Sequence, residues 1–308
     1  MSERNVMIAY KDEETLEKLR LSGKILRETR EEIKRYVCEN MPIIQVCEKA
    51  ESLIRAKGGE PAFPCNVSIN EIAAHYTSPP GDTKKIPEKA VVKLDIGVHI
   101  DGYITDTATT ICFDQAYRKM VEAAEEALRT VISKIHSGMP ISSIGGIIET
   151  TIKNRGFRPI SNLTGHSLDR YLVHAGTSIP NISQACKTRI KSGELYAIEP
   201  FVTLPDAAGR IQDGEEVTIY RLIKVSSIKN EYSKRLLKYI QANFKTLPFA
   251  ERWLDGSVPK DYQRESFKEL VSSKLLMGYP TFVEASRGIV TQAEHTLLIT
   301  ENGCEVLT

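Results

Sequence analysis

VVKLDIGVHIDGYITDTATT, residues 91–110, alternates like a strand, breaks at Asp101-Gly102 and alternates again. Alternation at period two marks strands with two different faces, and Asp-Gly between two such runs specifies a two-residue type I′ turn. That turn sets the register: Ile100 faces Tyr103, His99 faces Ile104, and Gly97 faces Asp106. Asp95 lies two residues along from Gly97 on the same face, so Asp95 and Asp106 are diagonal neighbours roughly 7–8 Å apart at Cα. Gly97, with no side chain, is expected to leave open space opposite Asp106. Two close carboxylates in apolar surroundings repel, and either one takes a proton or a cation sits between them. Hard divalent ions take oxygen ligands, and bridging carboxylates suit a pair of ions. The alternative is that one aspartate simply caps or hydrogen-bonds a turn.

The 308 residues suffice for one large domain or two ordinary ones, and the apolar and charged fractions (41% and 26%) are those of a globular protein. A net charge of +1 argues against nucleic-acid binding as the main activity. The stretch MSERNVMIAYKDEETLEKLR, residues 1–20, is polar and charged, so no secretory signal or transit peptide is expected. No apolar run reaches bilayer-spanning length. The six cysteines are scattered without a C-x-x-C pair and read as reduced residues, not as a disulfide frame or zinc cage. These features together predict a cytoplasmic protein.

Periodicity predicts helices at about 12–37 and 43–57, then extended segments near 61–69 and 91–112. A second series follows: helices at about 115–136 and 141–154, then strands. The second helix of each series begins with Met-Pro (Met41-Pro42, Met139-Pro140), proline suiting a first helical turn. Each of these helices ends near a glycine, Gly58 or Gly156, and each half then carries a histidine, His75 or His174. Each next reaches an apolar strand with an embedded acid, Asp95 in AVVKLDIG and Glu199 in ELYAIEPF. The pattern points to a duplicated ααβ…β unit whose halves face each other, gathering acids and histidines at the pseudo-axis. Residues 223–276 change character: they are helical, charged and interrupted by prolines. They form a predicted insertion between Glu199's strand and the strand-like FVEASRGIVTQAEHTLLIT that carries Glu294.

Asp95, Asp106, Glu199 and Glu294, with one or more histidines, are therefore the candidate ligands. LTGHSLDRYLVHAGTSIPN supplies His166 and His174, where Gly165 and Ala175-Gly176 suggest close backbone approach and tight turns. A solitary histidine of this kind is more often a satisfied polar residue than a ligand. His99 reads as a structural strand residue near the turn. His136 reads as a helix-ending cation favoured by the dipole, and His295 as facing away from Glu294.

NVSINEIAAHYTSPPGD, LDIGVHIDGYITDTATT, LTGHSLDRYLVHAGTSIPN, AIEPF and TQAEHTLL, taken in order, resemble the motifs of type II methionine aminopeptidases, and the likeness covers about residues 8–304. The resemblance implies an α/β pita-bread fold, a pseudo-two-fold repeat with a central curved antiparallel sheet flanked by helices. Residues 1–308 would form one peptidase domain, with 223–276 as a helical insertion subdomain. It implies two divalent metal ions (cobalt, manganese, iron or zinc) held by Asp95, Asp106, His166, Glu199 and Glu294. Asp106 and Glu294 would bridge, Asp95 would chelate one ion, and His166 and Glu199 would complete the other. Glu199 would also move the water proton, His174 would stabilise the carbonyl oxygen, and His75 would hydrogen-bond the scissile amide. Phe63, Phe201 and Tyr279 would hold the methionine side chain, and a free N-terminal amine would be recognised on the Asp95 side. The implied reaction removes the initiator methionine of nascent proteins when the second residue is small. The partners implied are the nascent chain and the ribosome, with no nucleic-acid or membrane role, and a monomer is expected.

Three alternatives stand beside this reading. Prolidases and aminopeptidases P share the ligands but generally carry a separate N-terminal domain, whereas the repeat here begins near residue 12. Type I methionine aminopeptidases lack the helical insertion. A non-catalytic relative would be expected to lose ligands, and all five are intact. The absence of a long charged extension before the repeat resembles the archaeal type II form.

Overall fold

The computed structural model describes residues 12–308. The resemblance at residues 8–11 and most of the N-terminal stretch read as free of a targeting signal lie outside the described residues. Helix α1 (Glu13–Tyr36) starts where Asp12 accepts the Thr15 N–H at 2.9 Å. Glu13 and Glu14 occupy its first turn and Lys34 and Arg35 its last, each sign complementing the helix dipole. Helix α2 (Ile43–Ala56) precedes strands β1 (Glu60–Ile69), β2 (Ile72–Ala74), β3 (Val91–Ile100) and β4 (Tyr103–Cys112). The second series runs α3 (Arg118–Ile132), α4 (Ile141–Asn154), β5 (Arg158–Pro159), β6 (Thr164–Ser167), β7 (Ser178–Pro180), β8 (Leu195–Ile198), β9 (Phe201–Thr203) and β10 (Ile211–Leu222). Residues 223–276 hold α5 (Glu231–Phe244), β11 (Phe249–Ala250) and α6 (Lys260–Ser272). The chain then closes with β12 (Leu276–Glu284), β13 (Val290–Gln292), β14 (His295–Ile299) and β15 (Cys304–Val306).

The β3–β4 hairpin has the register expected from its turn, with Ile100 opposite Tyr103 and Gly97 opposite Asp106. Asp101 and Gly102 have φ of 51° and 89°, as a type I′ turn requires. Strands order β1-β3-β4 in one antiparallel sheet and β15-β14-β8-β6-β7 in another. The sheets meet where β4 lies beside β14: the Glu294 N–H donates to the Ala108 carbonyl at 3.0 Å, and Thr107 Oγ1 donates to the Glu294 carbonyl at 2.7 Å. Strand order is thus mirrored about this seam, β1-β3-β4 against β14-β8-β6, with a helix pair behind each half. This is the pita-bread fold, a curved antiparallel sheet wrapped by helices.

The helix pairs pack mainly on one face of the strands. Val92, Leu94, Ile96 and Val98 of β3 pack with α1 and α2, and Tyr196, Ile198, Leu297 and Ile299 pack with α3 and α4. Burying the four apolar residues of β3 alone contributes about 6–12 kcal/mol. That margin offsets part of the cost of bringing acids into the opposite face.

The duplication extends to helix caps. Gly58 and Gly156 take φ of 86° and 81° just beyond α2 and α4, and the next amides, of Gly59 and Phe157, bond back to Ile54 and Ile152. Pro42 and Pro140 sit at the N-cap of these helices, one position before the first helical turn expected for them, with extended ψ of 131° and 139°. The predicted helix at 115–136 is shorter. A 3₁₀ turn at Gln115–Tyr117 precedes α3, which ends at Ile132, so His136 lies past the helix instead of ending it. Among the described residues no helix is long and apolar enough to cross a membrane.

Candidate metal centre

Asp95 pairs across β3 with Asn66 on β1 and Ala108 on β4, and Asp106 lies diagonally beyond it. Gly97 does not leave the expected opening: a Cβ there would lie 2.3 Å from the Phe63 ring. The glycine admits an aromatic wall from β1 instead of a void. Glu294 and Glu199 sit just outside strands, before β14 and after β8, and both line the same cavity. Gly165 lets β6 approach β8, since a Cβ would lie 2.3 Å from the Ala197 carbonyl oxygen. That contact brings His166 Nε2 to 3.6 Å from both Asp106 Oδ2 and Glu199 Oε1. Ligand atoms of Asp106, His166 and Glu294 lie within 4.8 Å of one another.

These groups are buried, and their protonation reflects it. Burial pushes the Asp95 carboxyl up to about 7. Burial first, and then the charges of neighbouring acids, push Asp106, Glu199 and Glu294 well above the carboxylate range. Burial holds the His166 imidazole well below its ordinary value, so it is neutral and has a lone pair to give. Asp95 Oδ1, Asp106 Oδ1, Glu294 Oε2 and His166 Nδ1 have no hydrogen-bond partner among the described residues. Unpartnered buried polar atoms are costly, and four carboxylates cannot all ionise here without compensating cations. Four carboxylates and one imidazole match the charge and donor types of two divalent ions.

The His174 ring lies 4.3 Å from that of His166 between centroids, tilted by 51°, while the His75 ring lies 4.3 Å from that of Phe282 and 5.6 Å from that of Tyr279. Burial lowers both imidazoles to about 4, with His174 adding to the effect on His75 and Arg221 to that on His174. Each is therefore a neutral ring offering one N–H and one lone pair near neutral pH. A cavity of about 410 Å³ is lined by all ten residues singled out in the sequence: Phe63, His75, Asp95, Asp106, His166, His174, Glu199, Phe201, Tyr279 and Glu294. His99, His136 and His295 are not among its walls. His99 Nδ1 accepts the Gly102 N–H at 3.1 Å, and His295 Nδ1 lies 3.2 Å from Arg30 Nη1 on the far side of β14.

Sequence reasoning missed several residues in or behind the walls. Gln292 Nε2 donates to Glu199 Oε2 at 3.3 Å, and its place two residues before Glu294 in TQAEH was the available signal. Asn66, buried with an unpartnered Oδ1, was legible only as the strand residue opposite Asp95. Pro248 reaches the cavity from the 223–276 segment, and no local pattern announces that.

Two mirrored half-sheets closing on a buried nest of carboxylates and imidazoles define a pita-bread metallopeptidase. Residues 17–301 match metallopeptidase family M24, and the chain belongs to that family. It is 44% identical to a methionine aminopeptidase of Methanocaldococcus jannaschii, over 96% of this chain and 99% of that protein. A methionine aminopeptidase of Saccharolobus solfataricus is 43% identical over 93% of this chain and 95% of that one. Among solved structures, a methionine aminopeptidase from Thermotoga maritima superposes with a TM-score of 0.71 at 22% identity, covering 98% of this chain and 99% of the other. A prolidase from Pyrococcus furiosus gives 0.61 at 18% identity, over 97% of this chain and 65% of its own. These last two likenesses concern the fold.

Proposed function

We propose that this protein removes the N-terminal methionine from polypeptides whose second residue is small, and that it is a type II methionine aminopeptidase of archaeal kind. The observation that carries the reading is the near end-to-end likeness to methionine aminopeptidases at 44% identity, joined to a cavity that gathers every expected ligand. The α5 and α6 helices between β10 and β12 support the type II assignment, because they occupy the place of the insertion.

Asp95, Asp106, His166, Glu199 and Glu294 would hold two divalent ions. The chemistry the ions supply when bound is a water of lowered pKa, available as a nucleophile near neutral pH. Glu199, whose Oε2 accepts from Gln292 Nε2, would serve as the general base of the site and deliver a proton to the leaving amine. His174, neutral beside His166, donates its N–H to the substrate carbonyl oxygen as negative charge develops there. His75 hydrogen-bonds the scissile amide from the opposite wall. Phe63, Phe201 and Tyr279 surround the methionine side chain, whose polarizable thioether makes favourable contacts with aromatic rings. The substrate is the N-terminus of a nascent protein emerging from the ribosome, and the protein acts as a cytoplasmic monomer.

The competing reading within the fold is a prolidase. Metal content measured alongside cleavage of Met-Gly-Met-Met, a Leu-initiated analogue and Xaa-Pro peptides separates the two. Preferential cleavage of the Met peptide is expected, and preferential cleavage of Xaa-Pro overturns the proposal.

A further inference from the structure

The segment joining α5 to α6 holds both loops that carry the cavity histidines. On one side Thr246 Oγ1 donates to the Tyr171 carbonyl, and Lys245 Nζ lies 3.6 Å over the Tyr171 ring, three residues before His174. On the other side Arg252 reaches the loop just after His75. Its Nη1 donates to Thr77 Oγ1 at 2.9 Å and to the Ser78 carbonyl at 3.0 Å, and its Nη2 pairs with Glu51 on α2. Glu51 also accepts the Trp253 Nε1–H at 2.7 Å and the Cys65 N–H at 3.1 Å, so its carboxylate is fully engaged. Both partners of the pair are buried.

His75 needs such support. Its φ is +67°, a left-handed conformation that non-glycine residues keep only where the surroundings over-determine it. Ala74 is fixed on one side by pairing with Phe282. On the other, Thr77 is bonded through its amide to Thr218 Oγ1 at 3.2 Å and through its hydroxyl to the Cys65 carbonyl at 2.7 Å. Arg252 closes this frame from the distant 223–276 segment. A buried ion pair adds little stability over apolar packing of the same volume, but the rigid guanidinium fork sets direction.

We propose that Arg252, oriented by Glu51 and Trp253, is a positioning residue for the hydrolysis. It locks the Thr77–Ser78 segment and so sets the angle at which the His75 ring meets the substrate amide. The helical segment is thereby part of the catalytic apparatus and not only an appendage of the sheet. This inference rests on the reading of His75 as substrate-facing.

The test is a double-mutant cycle on the metal-loaded enzyme between Arg252→Lys and His75→Ala, reading kcat, KM and metal stoichiometry on a Met-Ala peptide. Lysine keeps the charge but cannot bridge Glu51 and the Thr77–Ser78 segment together. The expected result for Arg252→Lys is a kcat loss on the order of 10- to 100-fold, with both ions retained and KM little changed. In the His75→Ala background the same substitution should cost almost nothing further. The imidazole ¹⁵N signals of His75 should shift in Arg252→Lys while those of His295 stay in place. An equal kcat loss in both backgrounds overturns the proposal, since Arg252 then acts on the whole fold. A silent Arg252→Lys beside a damaging His75→Ala also overturns it, and leaves the role of His75 standing. A silent His75→Ala removes that role and the inference with it. Should Arg252→Lys not fold, Trp253→Phe, which removes only the donor to Glu51, enters the same cycle with the same criteria.

Discussion

Asp106 and Thr296 are joined by a reciprocal pair of hydrogen bonds across the seam of the fold. The Asp106 N–H donates to Thr296 Oγ1 at 2.7 Å, and Thr296 Oγ1 donates to the Asp106 carbonyl at 2.8 Å. One threonine of β14 thus fixes the backbone of the acid that sits on β4. Thr296→Val preserves shape and removes both bonds. Metal affinity measured by calorimetric titration should fall about 10- to 100-fold, as for other residues that orient ligands. An unchanged affinity in a folded variant would show that Asp106 is positioned by its own strand alone.

Asp106→Ala should abolish peptidase activity and reduce metal content, because one of the carboxylates proposed to hold the ions is lost. Elemental analysis beside a peptidase assay checks this, and near-native turnover with two ions bound refutes the hairpin argument. His295→Ala serves as the contrast. Its ring contacts Arg30 and Thr308 behind the sheet, so metal content should hold. Damage to metal binding equal to that of His166→Ala would reverse the assignment of faces on β14.

The rings of His166 and His174 touch, yet the two residues should fail differently when removed. His166→Ala loses a neutral nitrogen ligand, and excess metal should restore part of the rate. His174→Ala should keep both ions and lose about 10²–10³-fold in kcat, the usual effect of deleting one donor to a developing oxyanion. If excess metal restores the His174 variant, that residue is a ligand.

Phe63 and Phe201, almost fully buried, are proposed to hold the methionine side chain. The proposed geometry places the second residue beside the acid cluster, where a small side chain is expected to be favoured. Competition among Met-Ala, Met-Val and Met-Lys peptides should rank alanine first and lysine last, and rapid Met-Lys cleavage contradicts the proposed geometry.

His99 provides a pH-dependent contribution to stability. Burial, with a smaller effect of Lys245, holds its imidazole at about 4 against an ordinary 6.5. The unfolded chain therefore binds a proton at higher pH than the folded one. The contribution is complete above about 6.5 and is lost as pH falls toward 4. Protonation also removes the Nδ1 lone pair that accepts the Gly102 N–H. In His99→Asn, whose Oδ1 can still accept, the drop in Tm between pH 6.5 and 4 should be smaller than in the parent. An identical drop would assign the acid sensitivity to other groups.

Much of the site was legible because its cues are local. The Asp-Gly turn set the register of Asp95 and Asp106, and the period of two placed both on the face away from the helices. The repeated Met-Pro and glycine punctuation revealed two halves, whose caps are closely alike. The ligand histidine was separable from its neighbours only through family resemblance, since an isolated histidine in an apolar segment carries no such information. The limits of α3 were missed because a 3₁₀ turn and a helix share nearly the same apolar spacing over a few residues.

By itself the sequence determined the hairpin, the amphipathic helices, the duplicated plan and the identity of the acids, all properties of residues a few positions apart. Tertiary structure decided that Phe63 occupies the space beside Gly97, that Thr296 grips Asp106, and that Arg252 reaches Glu51 across 201 positions of chain. Those contacts depend on which surfaces meet when the two half-sheets close, and no local period or turn encodes that meeting. The same closure buries the carboxylates together and raises their affinity for protons. A cluster that would be four ordinary acids in an open chain becomes, through shared desolvation, a site that demands cations.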